Sequence, residues 1–376
     1  MDCIYLDNNA TTPLLPEVWQ AMYPYFSEAF ANPASAHSAG RKARRALEDA
    51  REAVAAHLGA HPDELVFTSG ATEANNLALL GLCGHAPGHL LASPLEHPSV
   101  AEPLRHLTEN GFTFNALSVD AEGIVDVKLF DRLLCPRTRL VAVMLANHET
   151  GAIQPIRDLT QQLAGRARFH CDAVQAIGKI PVHFHDLAVD TLSLSAHKFH
   201  GPKGIGALLV RRGVKLPPLM RGGHQQHGLR PGTESVALAV GLARALELAC
   251  RERDERLARV RLLRQRFLSL LDAAAPVVLN GSDDGIPHTL NVSFLGVKAD
   301  LLLMNLDLAG IACSTGSACS SGSLLPSPIL QAMGVADEVL RSAMRFSLSP
   351  LLTTEKIVEA ARRIVEVVAR LRDGER

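Results

Sequence analysis

The chain has 376 residues, with 38 Lys and Arg against 39 Asp and Glu, so its formal net charge of −1 offers nothing built to grip a nucleic-acid polyanion. Apolar residues make up 47% and charged residues 20%, which suits a folded chain with a core and excludes a disordered one. The length implies two or three domains, with surface to spare for a cleft between them.

The opening Met1-Asp2-Cys3-Ile4-Tyr5-Leu6-Asp7 has neither the basic nor the apolar stretch of an export signal. Residues 40–58 place Ala and Leu on one side and charges on the other, which predicts an amphipathic helix. A strand at 64–69, a turn at Gly70 and a helix at 71–82 follow. Further strands are predicted at 89–93, 139–146, 168–171, 191–195 and 206–210, with helices at 99–110 and 156–164 between them. This alternation predicts an α/β fold: a large domain whose mainly parallel sheet is covered by helices on both faces. One long helix is expected from Val236 to about Ala273. Beyond it, strands at 277–279, 288–294, 311–313 and 343–349 and a closing helix at 354–372 predict a smaller α+β domain. The uncharged run from Leu308 to Ala336 carries six Ser, four Gly and two Pro, and reads as a loop-rich segment, not a membrane span. Seven scattered cysteines, an odd number, predict reduced thiols and a cytoplasmic location.

Ligands of open α/β sheets sit beyond the carboxyl ends of the strands. At the first such exit, Thr68-Ser-Gly-Ala-Thr-Glu73, a helix start aims backbone N–H groups at an anion, as a phosphate cup or as a plain capped turn. At the second, His170-Cys-Asp-Ala-Val-Gln175, a buried Asp172 needs compensation, by a cofactor, a salt bridge or a helix cap. At the third, Ser195-Ala-His-Lys198, a lysine after an apolar strand is a Schiff-base candidate, whereas Lys203 sits in a solvated loop. A fourth feature, Cys313-Ser-Thr-Gly-Ser-Ala-Cys-Ser-Ser-Gly-Ser323, surrounds Cys319 with small polar residues, which suits a nucleophilic thiol on a moving loop. Cys313, at a strand end, reads as structural. The 16 histidines include His183-Phe-His185, His224-Gln-Gln-His227 and His170, but none has the closed spacing of a structural zinc site, so no metal is expected.

These features in combination point to pyridoxal phosphate chemistry followed by attack from a thiol. Together with Asp7-Asn-Asn-Ala-Thr-Thr12, Glu96-His97, Arg230-Pro-Gly-Thr233 and Arg345-Phe-Ser347, they resemble the cysteine desulfurases of the NifS/IscS type, over residues 4 to about 350. The resemblance implies a fold-type I pyridoxal phosphate enzyme with a large cofactor-binding domain at 15–257 and a small domain at 1–14 and 258–376. The small domain would carry the catalytic cysteine loop at about 314–326. It further implies that Lys198 carries the cofactor and moves the Cα proton, Asp172 pairs with the ring nitrogen, Gln175 bonds the phenolic oxygen and His97 stacks on the ring as a catalytic group. Ala71, Thr72, Ser195 and His197 would hold the phosphate, with Thr233 reaching in from the second subunit of a homodimer. Arg345 would clamp the carboxylate of L-cysteine. Cys319 would accept the sulfur as a persulfide, leaving L-alanine, for delivery to an acceptor protein in iron–sulfur cluster assembly or another thiolation. A selenocysteine lyase, or an assembly partner of the same fold with little catalysis, would fit the same residues.

Two departures from the family pattern stand out. His148 occupies the place of an Asn expected beside the phenolic oxygen and the substrate carboxylate, and imidazole can become a cation near working pH. A pH-dependent grip on the substrate is therefore expected, one that His148→Asn would remove. The segment Gly222-Gly-His-Gln-Gln-His-Gly228 lacks the Glu-Arg pair of the family, near the expected interface.

Overall fold

The structure, a computed structural model, describes residues 3–84, 86–274, 276–316 and 326–374. The strands in chain order are β1 (Ile4–Tyr5), β2 (Leu65–Thr68), β3 (His89–Ala92), β4 (Thr113–Ala116), β5 (Thr138–Ala142), β6 (Arg168–Asp172), β7 (Thr191–Ser195), β8 (Gly206–Val210), β9 (Val278–Leu279), β10 (Thr289–Ser293), β11 (Ile311–Ala312) and β12 (Ala343–Ser347). Seven of them form one sheet in the order β2-β8-β7-β6-β5-β3-β4. Only β8 runs against its neighbours; the pairs β7-β6, β6-β5, β5-β3 and β3-β4 are parallel. The architecture is the α/β one the alternation predicts, because strands as apolar as Leu65–Thr68 and Gly206–Val210 need cover on both faces.

Strand β4 carries no burial signal and was not expected: all four of its residues are exposed at the sheet edge, so no apolar pattern marks it. Strand β5 is shorter than predicted, yet Val143 and Leu145 still donate backbone hydrogen bonds to His170 and Asp172, so the apolar run continues beside β6 after leaving regular pairing.

The single helix expected from Val236 is two, Val236–Arg251 and Arg253–Ala274, parted at Glu252. Arg251 and Arg256 both bond the Glu252 carboxylate. The cause is a change of core. Val236, Leu242, Leu246 and Ala249 pack with the seven-stranded sheet, whereas Val260, Leu263, Phe267 and Leu271 pack in a second cluster with Ile4, Leu6, Leu290, Phe346 and Ile364. A straight helix could not turn one apolar stripe to both. The second cluster includes residues of a three-stranded antiparallel sheet, β12-β10-β9, and of the parallel pair β1-β11. The N-terminal segment thus belongs to the second core before it crosses to the first, where Leu15 and Val18 are buried.

Candidate functional site

A cavity of about 520 Å³ opens where the parallel strands end. The exits of β2, β6 and β7 deliver Ala71 and Thr72, Asp172 and Gln175, and Ser195, His197 and Lys198 to it. His97, after β3, and His148, after β5, also line it, and so does the exposed Lys203. Close approach at the rim requires Gly206, where a Cβ would collide with the Leu194 carbonyl oxygen and with the backbone of Gly70.

The helix Ala71–Cys83 starts at the cavity with no side chain capping its first turn. The neighbouring Ser69 N–H is engaged by Glu73 at 2.7 Å, and Glu73 in turn by Arg230 at 3.0 Å. An uncapped N-terminus flanked by the Thr72 and Ser195 hydroxyls and by His197 is a site suited to an anion. Asp172 accepts from Asn75 Nδ2 at 2.8 Å and from the Val174 N–H at 2.9 Å, both neutral donors, so its carboxylate is held in place without being neutralised by them. Lys198, on a single 3-10 turn after β7, donates to the carbonyl oxygens of Asn9 and Ala10 at 2.6 and 3.0 Å. Gln175 donates to Asn9 O at 3.0 Å and accepts from Lys179 at 2.5 Å, an arrangement that points its amide nitrogen away from Lys179. A phosphorylated aromatic aldehyde fits this set: an anion cup, a primary amine, a fixed carboxylate and an oriented amide share one cavity.

Three residues that matter here carried no role in the sequence reading. Asn9 gathers Lys198, Gln175, Lys179, Thr289 and the His148 carbonyl around one residue; the only signal was its place in the polar run Asp7–Thr12. Lys179 is buried, and burial together with Lys198 and Arg345 lowers its pKa to about 7. Asn75, on the buried face of the helix Ala71–Cys83, contacts Asp172 and Ser99.

His148 lines the cavity with its Nδ1 buried and without a hydrogen-bond partner. Burial first, then the charges of His97, Arg345 and Lys198, hold its pKa well below 6.5. That direction favours a neutral ring and runs against the expectation of a titrating cation. Its edge meets His97, with ring centroids 5.3 Å apart. Burial likewise lowers His97, and pushes His197 down to about 4.

Arg345 lies on β12 with Nη2 2.7 Å from Asp7 and Nη1 3.3 Å from the His148 carbonyl, while its buried Nε has no partner. It is not among the residues that line the cavity. Its backbone pairs in both directions with Ser314, which leads into the segment carrying Cys319. Cys319 itself falls outside the described residues. On either side of that segment, Ser327 donates to Glu149 at 2.5 Å and Gly316 packs against the same carboxylate. Cys313 is half-buried, and the desolvation of its thiol pushes its pKa up to about 12 and denies it thiolate character. Thr233 is exposed and also does not line the cavity. In the altered 222–228 segment, Gln226 is buried and bonds Arg51 and the Phe67 N–H of β2. Among the described residues, His61, Glu64 and His185 form the one His/acid group close enough for a metal, outside this cavity. Both Glu64 oxygens, however, already accept N–H bonds from His61, His185 and Arg212.

The chain matches the aminotransferase class-V family over residues 4–359. It is 43% identical to the cysteine desulfurase IscS of Dictyoglomus turgidum over 372 residues, 96% of this chain and 94% of the relative. A solved NifS-like protein superposes with a TM-score of 0.93 at 37% identity, covering 98% of this chain and all of that one. A structure described as SspA in complex with cysteine superposes with a TM-score of 0.82 at 36% identity, over 93% and 99% of the two chains.

Proposed function

The chain belongs to the aminotransferase class-V family, and from that membership we propose that it is a pyridoxal phosphate-dependent cysteine desulfurase, converting L-cysteine to L-alanine and leaving the sulfur on Cys319. The observation that carries the reading is the convergence of Lys198, Asp172 and the uncapped helix start at Ala71 on one cavity. Pyridoxal phosphate, when bound, supplies the electron-withdrawing ring that makes the Cα proton of cysteine acidic. The backbone N–H groups of Ala71 and Thr72, with Ser195 and His197, would hold its phosphate. Asp172 would hold the proton on the ring nitrogen, Gln175 would bond the phenolic oxygen through its amide nitrogen, and His97 would cover the ring. Lys198 would carry the cofactor, and its amine would move the substrate Cα proton. Arg345 binds the substrate carboxylate in place of Asp7, and the neutral His148 offers an imidazole beside it. The thiolate of Cys319 attacks the substrate sulfur: the S–S bond forms as the C–S bond breaks, the electron pair returns to carbon, and protonation there gives alanine. No external oxidant is required.

We further read the large domain as residues 15–257 and the small one as 1–14 and 258–376, supported by the handover between the two cores from Ala249 to Val260. A homodimer is the proposed assembly, with Thr233 contributed across the interface; its exposure outside the cavity of its own chain supports this. Mixed dimers of Lys198→Ala and Thr233→Ala should regain one active site per pair, and a fully active monomer would refute the assembly. A cytoplasmic location, with transfer of the persulfide sulfur to an acceptor protein of iron–sulfur assembly or another thiolation, accords with the free thiols of the six described cysteines. Among the described residues, no helix is long and apolar enough to cross a membrane.

Cys319→Ser tests the core of the reading. The variant should keep bound cofactor and still respond spectrally to cysteine, with alanine formation reduced at least a hundredfold, the order expected on losing a nucleophile. Full activity in Cys319→Ser, with loss in Cys313→Ser, would exchange the two roles.

A further inference from the structure

We propose that Asn75 is a positioning residue whose single side-chain amide fixes one oxygen of Asp172 and the hydroxyl of Ser99, and through that hydroxyl adds a second donor to the His97 Nδ1 that the Ser99 backbone N–H already holds as an acceptor. The mechanistic consequence rests on the function proposed above; the hydrogen-bond order does not.

Asn75 sits in the helix that starts at the cavity, with its side chain fully buried behind the cavity wall. Its Nδ2 has two hydrogens and two partners, Asp172 Oδ2 and Ser99 Oγ, each at 2.8 Å. Its Oδ1 lies 3.0 Å from His170 Nε2, and His170 Nδ1 lies 2.9 Å from the Thr191 hydroxyl. All of these groups are buried, so each must find its partner within the protein.

The direction of every bond follows from what each atom can do. A carbonyl oxygen only accepts, so His170 Nε2 carries the hydrogen and His170 Nδ1 accepts from Thr191. Burial lowers His170 to about 3, so the ring is neutral and has a single N–H to spend. Reversing the Asn75 amide would set its carbonyl oxygen against the Asp172 carboxylate and its NH₂ group against an imidazole N–H, two repulsive contacts in place of two bonds. Ser99 Oγ accepts from Asn75 and therefore gives its own hydrogen to His97 Nδ1, 2.8 Å away. The Ser99 backbone N–H reaches the same nitrogen at 3.1 Å. With Nδ1 an acceptor twice over, the neutral His97 ring carries its hydrogen on Nε2. The proton order therefore runs one way, from Thr191 through His170 and Asn75 to Ser99 and His97, with Asp172 on a side branch.

Two consequences follow for the reaction. One Asp172 oxygen is permanently occupied by an amide donor, which moderates how strongly that carboxylate can hold a proton on the ring nitrogen. His97 meets the cofactor as an Nε2–H donor and not as an acceptor.

The test compares wild type with Asn75→Leu, which keeps volume and removes the amide, with Ser99→Ala, which cuts only the branch to His97, and with Thr191→Val, which removes the first donor. Ring-nitrogen NMR on ¹⁵N-histidine-labelled protein, with His97 assigned by its absence in His97→Gln, reads the tautomer with or without activity. Wild-type His97 should be Nε2–H, and Ser99→Ala and Asn75→Leu should each keep that tautomer, held by the Ser99 backbone N–H, but shift the Nδ1 resonance as its second donor is lost or reoriented. In the holoenzyme, Asn75→Leu should shift the absorbance maximum of the bound cofactor and lower kcat by roughly tenfold or more, as expected for an unmet buried partner. Ser99→Ala should lower kcat with an unchanged absorbance maximum, and the double variant should be no slower than Asn75→Leu, because the second change cuts a branch already lost. If Asn75→Leu fails to fold, Thr191→Val and Ser99→Ala still decide: Thr191→Val should shift the maximum in part. A wild-type Nδ1–H tautomer of His97, additive losses in the double variant, or wild-type spectra in Asn75→Leu and Thr191→Val would overturn the proposal. Absence of alanine formation by wild type would refute the assigned reaction instead, and leave the tautomer result standing.

Discussion

His148 stands at the cavity wall with His97, Arg345 and Lys198 around it, and burial together with those charges keeps its ring neutral. Its sign is therefore the reverse of a pH-tuned clamp: acid down to well below pH 6.5 leaves the ring uncharged, and no limb in substrate affinity arises from it. His148→Asn should leave an active enzyme whose KM for cysteine follows the wild-type pH profile in shape from pH 6 to 8, as steady-state kinetics would record. A limb near pH 6.5 present only in wild type would restore the cationic role. What the sequence made legible at this scale was chemistry at strand exits: Asp172, Ser195 and Lys198 end or follow apolar strands, so their polarity stands out. Asn75 and Lys179 were illegible, because each sits among helix or turn residues where a polar side chain is ordinarily solvated. Only the tertiary fold buries them.

The N-terminal segment works as an element that belongs to both cores. β1 pairs with β11, Asp7 holds Arg345, and Asn9 and Thr11 reach Lys198 and His197. Thr12 bonds the His197 carbonyl and the His200 N–H, fixing the turn that carries Lys198. On the opposite side that turn rests on Gly178, whose φ of +79° is left-handed and whose missing Cβ leaves room for Phe199 Cβ, 2.8 Å from where it would lie. Gly178→Ala should therefore cost about 1–2 kcal/mol for backbone strain alone, with more from displacing Phe199. Urea unfolding should show the loss, and cofactor affinity should fall with it because Phe199 follows Lys198. An unchanged midpoint and affinity would contradict this packing. Regular elements were readable because their periodicity reports burial. The edge strand β4 was not, and neither was the break at Glu252, since a switch between two cores leaves a continuous helical pattern in sequence.

Across the molecule, burial lowers the pKa of six histidines, His97, His148, His170, His197, His200 and His288, while it raises those of two carboxyls, Glu96 and Glu149. Below pH 6.5 the unfolded chain binds protons on these histidines that the folded chain does not, so stability falls as pH drops. The raised carboxyls act in the opposite sense, and six groups outweigh two. Denaturant unfolding between pH 7 and pH 5 should show a steady loss of stability with net proton uptake on unfolding; a flat profile would mean that these histidines are solvated. The two cores also explain why fold class was legible while their junction was less so: each core writes its own apolar pattern, but the residues between Cys250 and Val260 belong to neither. The claim that these cores together frame a desulfurase is tested most directly by incubating the purified holoenzyme with L-cysteine and measuring alanine together with the mass of the Cys319 peptide. One alanine per sulfur released, with a persulfide on Cys319 before any reductant is added, is the predicted result. Cofactor-loaded protein that yields neither alanine nor a modified Cys319 would contradict it.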